Sequence, residues 1–203
     1  MNNLTVKQII KESLKKSISY QEYRELVHQY VLDNSTSGLE KTEELANYTA
    51  LNDRRMKRWD KTLKVTEADK TRIQNFNGNV TWLVITESWC GDAAHVIPVL
   101  NKIAELSENI DLKLVFRDEN DDLMNHFLTN GGKAIAKLIM IDNENTEVIG
   151  TFGPRPSEAT KLVEAYKIKH GKLTPEFKKD LQLWYNKDKG QSVILDILSL
   201  LKV

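Results

Sequence analysis

Cys90 is the only cysteine in this 203-residue chain, and it stands in the run Trp89-Cys90-Gly91-Asp92-Ala93. A lone thiol can form no internal disulfide, so the chemistry open to it is attack on another molecule's disulfide or oxidised thiol. The attacking species is the thiolate. The residues after Cys90 repeat apolar side chains at helical spacing, Ala93, Val96, Ile97, Leu100, Ile103 and Ala104, which predicts a helix beginning at the cysteine. Unpaired amides and the positive end of the helix dipole would there stabilise a thiolate and lower its pKa. Glu87 and Asp92 carry negative charge beside it and oppose the effect, so the expected reduction is modest. The ordinary fate of a lone cysteine is an inert buried one. Its position between a strand and a helix start favours an exposed, reactive Cys90.

The elements that must position this thiol can be read from periodicity. From Val6 to about Thr66 the pattern is helical, and we read three helices, the second and third separated by Ser35-Thr36-Ser37-Gly38. Phe76-Asn77-Gly78-Asn79 ends this arm. Val80 to Ser88 is a short, mostly apolar, β-branched run of the kind a strand buried on both faces needs, and Leu112 to Phe116 is a second. With the helix between them they form a β-α-β unit. A helix over Asn120–Leu128 stops at Asn130-Gly131-Gly132. Ala136–Asp142 and Thr146–Phe152, joined by Asn143-Glu144-Asn145, read as a hairpin, and Ser157 can cap a following helix. Two short amphipathic helices, through Phe177, Leu181 and Trp184 and through Val193, Ile197 and Leu201, complete the chain. The reading divides it into a helical arm (1–78), a mixed α/β domain (79–170) and a helical extension (171–203).

Composition narrows the class of function. The chain is 40% hydrophobic, enough for a sizeable core, and its 29 basic residues balance 29 acidic ones. Nothing in that balance calls for nucleic acid or an anionic membrane surface. No run of about 18 apolar residues could span a bilayer, and the polar start carries no signal-peptide pattern. The expected location is the cytoplasm, whose reducing conditions keep Cys90 free.

A buried strand running into Trp89-Cys90-Gly91, with a helix at the cysteine and Pro98 eight residues beyond it, resembles the active-site segment of thioredoxin. The resemblance covers about residues 79–166, and the order β-α-β-α-β-β-α matches the thioredoxin fold. The phrases "WCGDAA", "RDEND", "TNGGKAIAKLI" and "GTFGPRP" resemble a bacterial branch of thioredoxin-like proteins with an N-terminal helical arm. The implied fold is a central mixed sheet of about four strands flanked by helices, with helical extensions at both ends.

The chain departs from the family pattern at three positions. Ala93 stands where thioredoxin has its second cysteine, and Val84 where it has a buried aspartate. The cis-proline of the facing loop falls at Ala136, and since a cis bond before a non-proline costs about 2.5–4 kcal/mol, Ile135-Ala136 is expected to be trans. The implied site comprises Cys90 with Trp89, Gly91, Asp92, Ala93, Ile135, Ala136, Gly153 and Arg155 around a substrate. Trp89 is either a lip of the site or core. Asp92 is most simply an acid favourable with the helix dipole, and otherwise a proton relay. Arg155, in Gly153-Pro154-Arg155-Pro156, either grips a carboxylate such as that of glutathione or is a solvated loop residue. Arg117-Asp118-Glu119 reads as mutual surface pairing, and His95 as a surface residue with no metal-ligand partner.

Two functions follow. In one, Cys90 is a monothiol nucleophile acting on a protein or small disulfide, with no tightly bound cofactor, glutathione as co-substrate and no metal. In the other, the fold is a non-catalytic protein-binding module. The substrate, the oligomeric state and the partner of the arm are not written in the sequence.

Overall fold

A computed structural model describes residues 4–203. The first three residues of the expected arm lie outside the described residues. The arm contains four helices rather than three: α1 (Val6–Lys15), α2 (Tyr20–Leu32), α3 (Glu43–Thr62) and α4 (Glu67–Gln74). The fourth escapes a periodicity search because Ile73 is its one buried residue. Local chemistry starts each helix. Thr5 with Gln8, and Ser19 with Glu22, form reciprocal capping boxes, while Thr42 and Thr66 cap α3 and α4. Such caps are worth about 0.5–2 kcal/mol each.

The rest of the chain runs β1 (Val80–Thr86), α5 (Ala93–Ala104), β2 (Ile110–Phe116), a 3-10 turn at Arg117–Glu119, α6 (Asp121–His126), β3 (Lys137–Asp142), β4 (Glu147–Phe152), α7 (Ser157–His170), α8 (Pro175–Asp188) and α9 (Gln191–Leu201). The four strands form one mixed sheet in the order β2-β1-β3-β4. β1 and β2 are parallel, from Val80 opposite Ile110 to Thr86 opposite Phe116. β3 runs antiparallel to both β1 and β4, with an irregularity at Met140/Ile141. This is the α/β thioredoxin fold with helical extensions. Every residue of β1 is buried, as its β-branched run requires.

One continuous apolar core joins the arm to the sheet. Ile9, Ile10, Tyr23, Val27 and Met56 share a cluster with Trp82, Val84, Leu114 and Ile139. The arm also protects a sheet edge: Ile18 and Leu114 exchange backbone hydrogen bonds of 2.9 and 2.8 Å beside β2. α9 joins the same core, whereas Leu181 and Tyr185 of α8 belong to a smaller cluster with Ala159 and Val163 of α7.

Several local expectations are corrected. α5 begins at Ala93, three residues beyond Cys90, although the Cys90 carbonyl already accepts from the Ala94 amide at 3.2 Å. α6 ends before the glycines, which instead sit in a tight turn where Thr129 and Gly132 exchange bonds of 2.9 and 3.0 Å. Pro156, not Ser157, precedes α7 as its cap residue, and Ser157 ties the helix to α9 by donating to Asp196 through its amide at 2.6 Å and its hydroxyl at 2.8 Å.

Candidate functional site around Cys90

The loop Glu87–Asp92 leaves the end of β1 and is held from the arm. Glu87 is fully buried: one carboxylate oxygen accepts from the Ser37 hydroxyl, and the other from the Asp118 amide at 2.9 Å. Burial pushes its pKa up against those hydrogen bonds. Ser88 sits in a knot of hydroxyls, 2.8 Å from Thr49 Oγ1 and 3.1 Å from Thr36 Oγ1. Ser37 and Ser88 are bound to each other twice, each amide donating to the other's hydroxyl at 2.9 and 2.7 Å. The Ser35–Gly38 stretch, read from sequence only as a break between helices, is therefore what fixes the loop carrying the cysteine.

Cys90 is 8% exposed, against the expectation of an accessible thiol. Its Sγ–H donates to the Ile135 carbonyl at 3.2 Å. Burial, and then the charge of Asp92, push the thiol up to about 12; the backbone amides of Ala93 and Asp92 and the charge of Arg155 pull the other way without overcoming them. The expected depressed pKa is overturned because the chain ends cover this segment. A Cβ added at Gly91 would stand 3.6 Å from Arg55 Nη1 of α3 and 3.8 Å from Gln182 Nε2 of α8.

Asp92 is not a solvated acid at the dipole. Its Oδ2 pairs with Arg155 Nη2 at 2.6 Å and its Oδ1 accepts from the Tyr185 hydroxyl at 2.9 Å. Burial raises its pKa, opposed chiefly by Arg155 and Tyr185. Arg155 thus grips a carboxylate of its own chain. Trp89 is half-buried, with the Arg117 guanidinium 5.0 Å above its ring, and Arg117 Nη2 pairs with Asp118 at 2.8 Å. Ala93 is fully buried.

Ile135-Ala136 is cis, contrary to expectation, as is Gly153-Pro154. The two loops touch: Gly153 has φ +105°, and a Cβ there would come within 2.1 Å of the Ala136 carbonyl oxygen, so only glycine fits. Ile135 and Ala136 therefore lie against Cys90 on one side and, through Gly153, lead towards Arg155 on the other.

His95 is 2% exposed, not at the surface. Trp59 Nε1–H, a donor only, reaches its Nδ1 at 2.9 Å, so the ring proton lies on Nε2 and donates to Gln182 Oε1 at 2.7 Å. Tyr185 stacks on the ring at 4.4 Å and 2°. Burial drives the imidazole down to about 3, so it stays neutral. α3 and α8 cover the α5 face that sequence periodicity assigned to solvent. Tyr185 and Gln182 were missed for the same reason, since an amphipathic C-terminal helix carries no mark of what it caps. Among the described residues, no group of three or more His, Cys, Asp and Glu side chains forms a metal site. No described helix is long and apolar enough to cross a membrane.

The sequence matches a family model described as thioredoxin over residues 38–167. The chain belongs to the thioredoxin family. The match begins at Gly38, so α3 and α4 fall inside the family region although they precede β1. Two solved structures share this thioredoxin-family fold. A protein of unknown function from Pseudomonas aeruginosa is 19% identical with a TM-score of 0.58, and an HIV epitope-scaffold is 20% identical with a TM-score of 0.57. Each comparison covers 91% of this chain and 98% of the other. No match is found among curated proteins.

Proposed function

We propose that this thioredoxin-family protein is a monothiol redox protein whose nucleophile, Cys90, is held protonated at rest. The observation that carries the reading is the place of Cys90, between the end of β1 and the start of α5, with its sulfur 3.2 Å from the Ile135 carbonyl of the facing loop. The backbone amides of Ala93 and Asp92, with Arg155, favour a thiolate there once the proton leaves. In the reaction the Cys90 thiol loses its proton, and its sulfur bonds to one sulfur of a substrate disulfide while the other departs as thiolate. An external thiol, glutathione in this reading, then attacks the substrate sulfur of the mixed disulfide and frees Cys90. Ala93 supplies no internal alternative. A low-molecular-weight or protein disulfide is the substrate class, and the cytoplasm the setting.

The burial of Cys90, with its pKa near 12, supports a second reading in which the fold is a non-catalytic binding module. Incubation with oxidised glutathione separates the two. The redox reading expects a slowly formed single adduct on Cys90, stable until an external thiol is added, and faster formation in Asp92→Asn. If both proteins stay folded and neither takes up glutathione, the binding-module reading replaces it.

A further inference from the structure

Arg155 pairs with Asp92 through Nη2 at 2.6 Å. Its Nε, on the same edge of the guanidinium, is buried and has no hydrogen-bond partner among the described residues. Arginine normally grips a carboxylate with both donors of that edge. The second oxygen of Asp92 accepts instead from the Tyr185 hydroxyl of α8 at 2.9 Å. An unpaired buried donor is costly.

The competing helix is weakly tied to the site. Leu181 and Tyr185 pack with α7 in the smaller cluster, outside the main core. What joins α8 to the Cys90 segment is the Tyr185–Asp92 bond, the Gln182–His95 bond at 2.7 Å and the stack of Tyr185 on His95. One end of α8 is pinned: a Cβ on Gly190 would meet Val99 Cγ2 at 2.9 Å and Leu63 Cδ1 at 3.0 Å. At the other end α8 is tied to α7 and not to the Cys90 segment: the Tyr166 hydroxyl lies 3.0 Å from Thr174 Oγ1, and its ring stacks on Phe177 at 4.0 Å.

We propose that Tyr185 is a positioning residue for the Cys90 site and α8 its latch: docked, Tyr185 keeps Asp92 on a single prong of Arg155, and released, it lets the carboxylate turn onto both Nε and Nη2. Release also withdraws Gln182 from Gly91. This rests on the reading of Cys90 as a nucleophile. The charged and titratable groups around the thiol are Asp92 on its own segment, Tyr23 from α2, Tyr185 from α8 and Arg155 from the loop after β4; Arg55 from α3 acts on Asp92. Of these, Asp92 most disfavours the thiolate, and Arg155 is the cation able to neutralise it.

The test is the pH dependence of Cys90 alkylation in the wild type, Tyr185→Phe, Gln182→Leu and Asp92→Asn, with circular dichroism to confirm folding. Tyr185→Phe keeps the ring on His95 and removes only the hydroxyl. It is expected to lower the midpoint by about one unit, a rise of roughly tenfold in rate at fixed pH below it. Gln182→Leu, which loosens α8 without touching Asp92, should move it the same way by less, and decides the matter if Tyr185→Phe does not fold. A merely structural tyrosine would lower stability and leave the midpoint in place. If Asp92→Asn lowers the midpoint while neither α8 variant does, the latch is wrong and the monothiol reading stands. If Asp92→Asn also leaves the thiol as inert as in the wild type, both fall.

Discussion

The Cys90 thiol donates to the Ile135 carbonyl across 3.2 Å, joining the segment after β1 to the loop before β3. A thiolate cannot donate, so this bond and the burial around it favour the protonated form. Alkylation of the native protein should therefore titrate well above the free-cysteine value of about 8.5. At pH 8 it should run on the order of 100-fold or more slower than in the urea-unfolded chain. Iodoacetamide labelling followed by intact mass measures both, and a native midpoint at or below the free value would contradict the resting state.

Ser37 and Glu87 make a second testable pair. The buried carboxylate has two partners, and Ser37→Ala removes one. The same substitution leaves the Ser88 amide without its acceptor. Loss of a partner from buried polar groups costs about 1–3 kcal/mol. Urea unfolding should show a lower midpoint with an unchanged slope. A cost within experimental error would mean that the loop is held by the neighbouring hydroxyls and not by this contact.

The strands and the β-α-β unit were legible because Val80–Thr86 is a mostly apolar, β-branched run and the following helix has a clear period. The state of the thiol was not. It depends on Tyr185, Gln182 and Arg155, which lie 65 or more positions beyond Cys90 in the chain, and on Arg55 from the arm. Local patterns encode which face of α5 is apolar. They do not encode that α3 and α8 supply polar partners to the other face, which is why His95 and Asp92 read as solvated. Arg155 reads from sequence either as a carboxylate binder or as a solvated loop residue; it does bind a carboxylate, but an internal one, Asp92.

His95 is expected to make the protein acid-labile. The folded ring stays neutral down to about pH 3, whereas an unfolded histidine takes up its proton near pH 6.5, at about its ordinary value. Between those limits the unfolded chain binds the extra proton, so the stabilisation is complete above about pH 6.5 and is lost as pH falls through the window. By pH 5 the loss approaches about 2 kcal/mol. Chemical denaturation at pH 7 and pH 5 should show this decline, and His95→Gln should flatten it by a similar amount while lowering stability at pH 7. A variant with the wild-type slope would place the acid sensitivity elsewhere.

Ala93 is the position at which a dithiol mechanism could be restored. It is the first residue of α5, fully buried and three residues beyond Cys90, so Ala93→Cys puts a second thiol close to the first. In the wild type, glutathione joined to Cys90 has no internal thiol to displace it. In the variant, the new thiolate can attack the Cys90 sulfur and expel glutathione as thiolate, leaving an intramolecular disulfide. Two features hold the exchange back. Val84 and the apolar core around the site offer no base to take the proton of the new thiol, and the added sulfur must fit where no space is exposed. The expected result is slow, incomplete release. After the same treatment with oxidised glutathione, intact mass should show a persistent adduct in the wild type and a declining adduct in Ala93→Cys, with a disulfide-linked chain accumulating in its place. A variant that is folded, glutathionylated and unable to release glutathione would mean that α5 holds residue 93 out of line with the Cys90 sulfur.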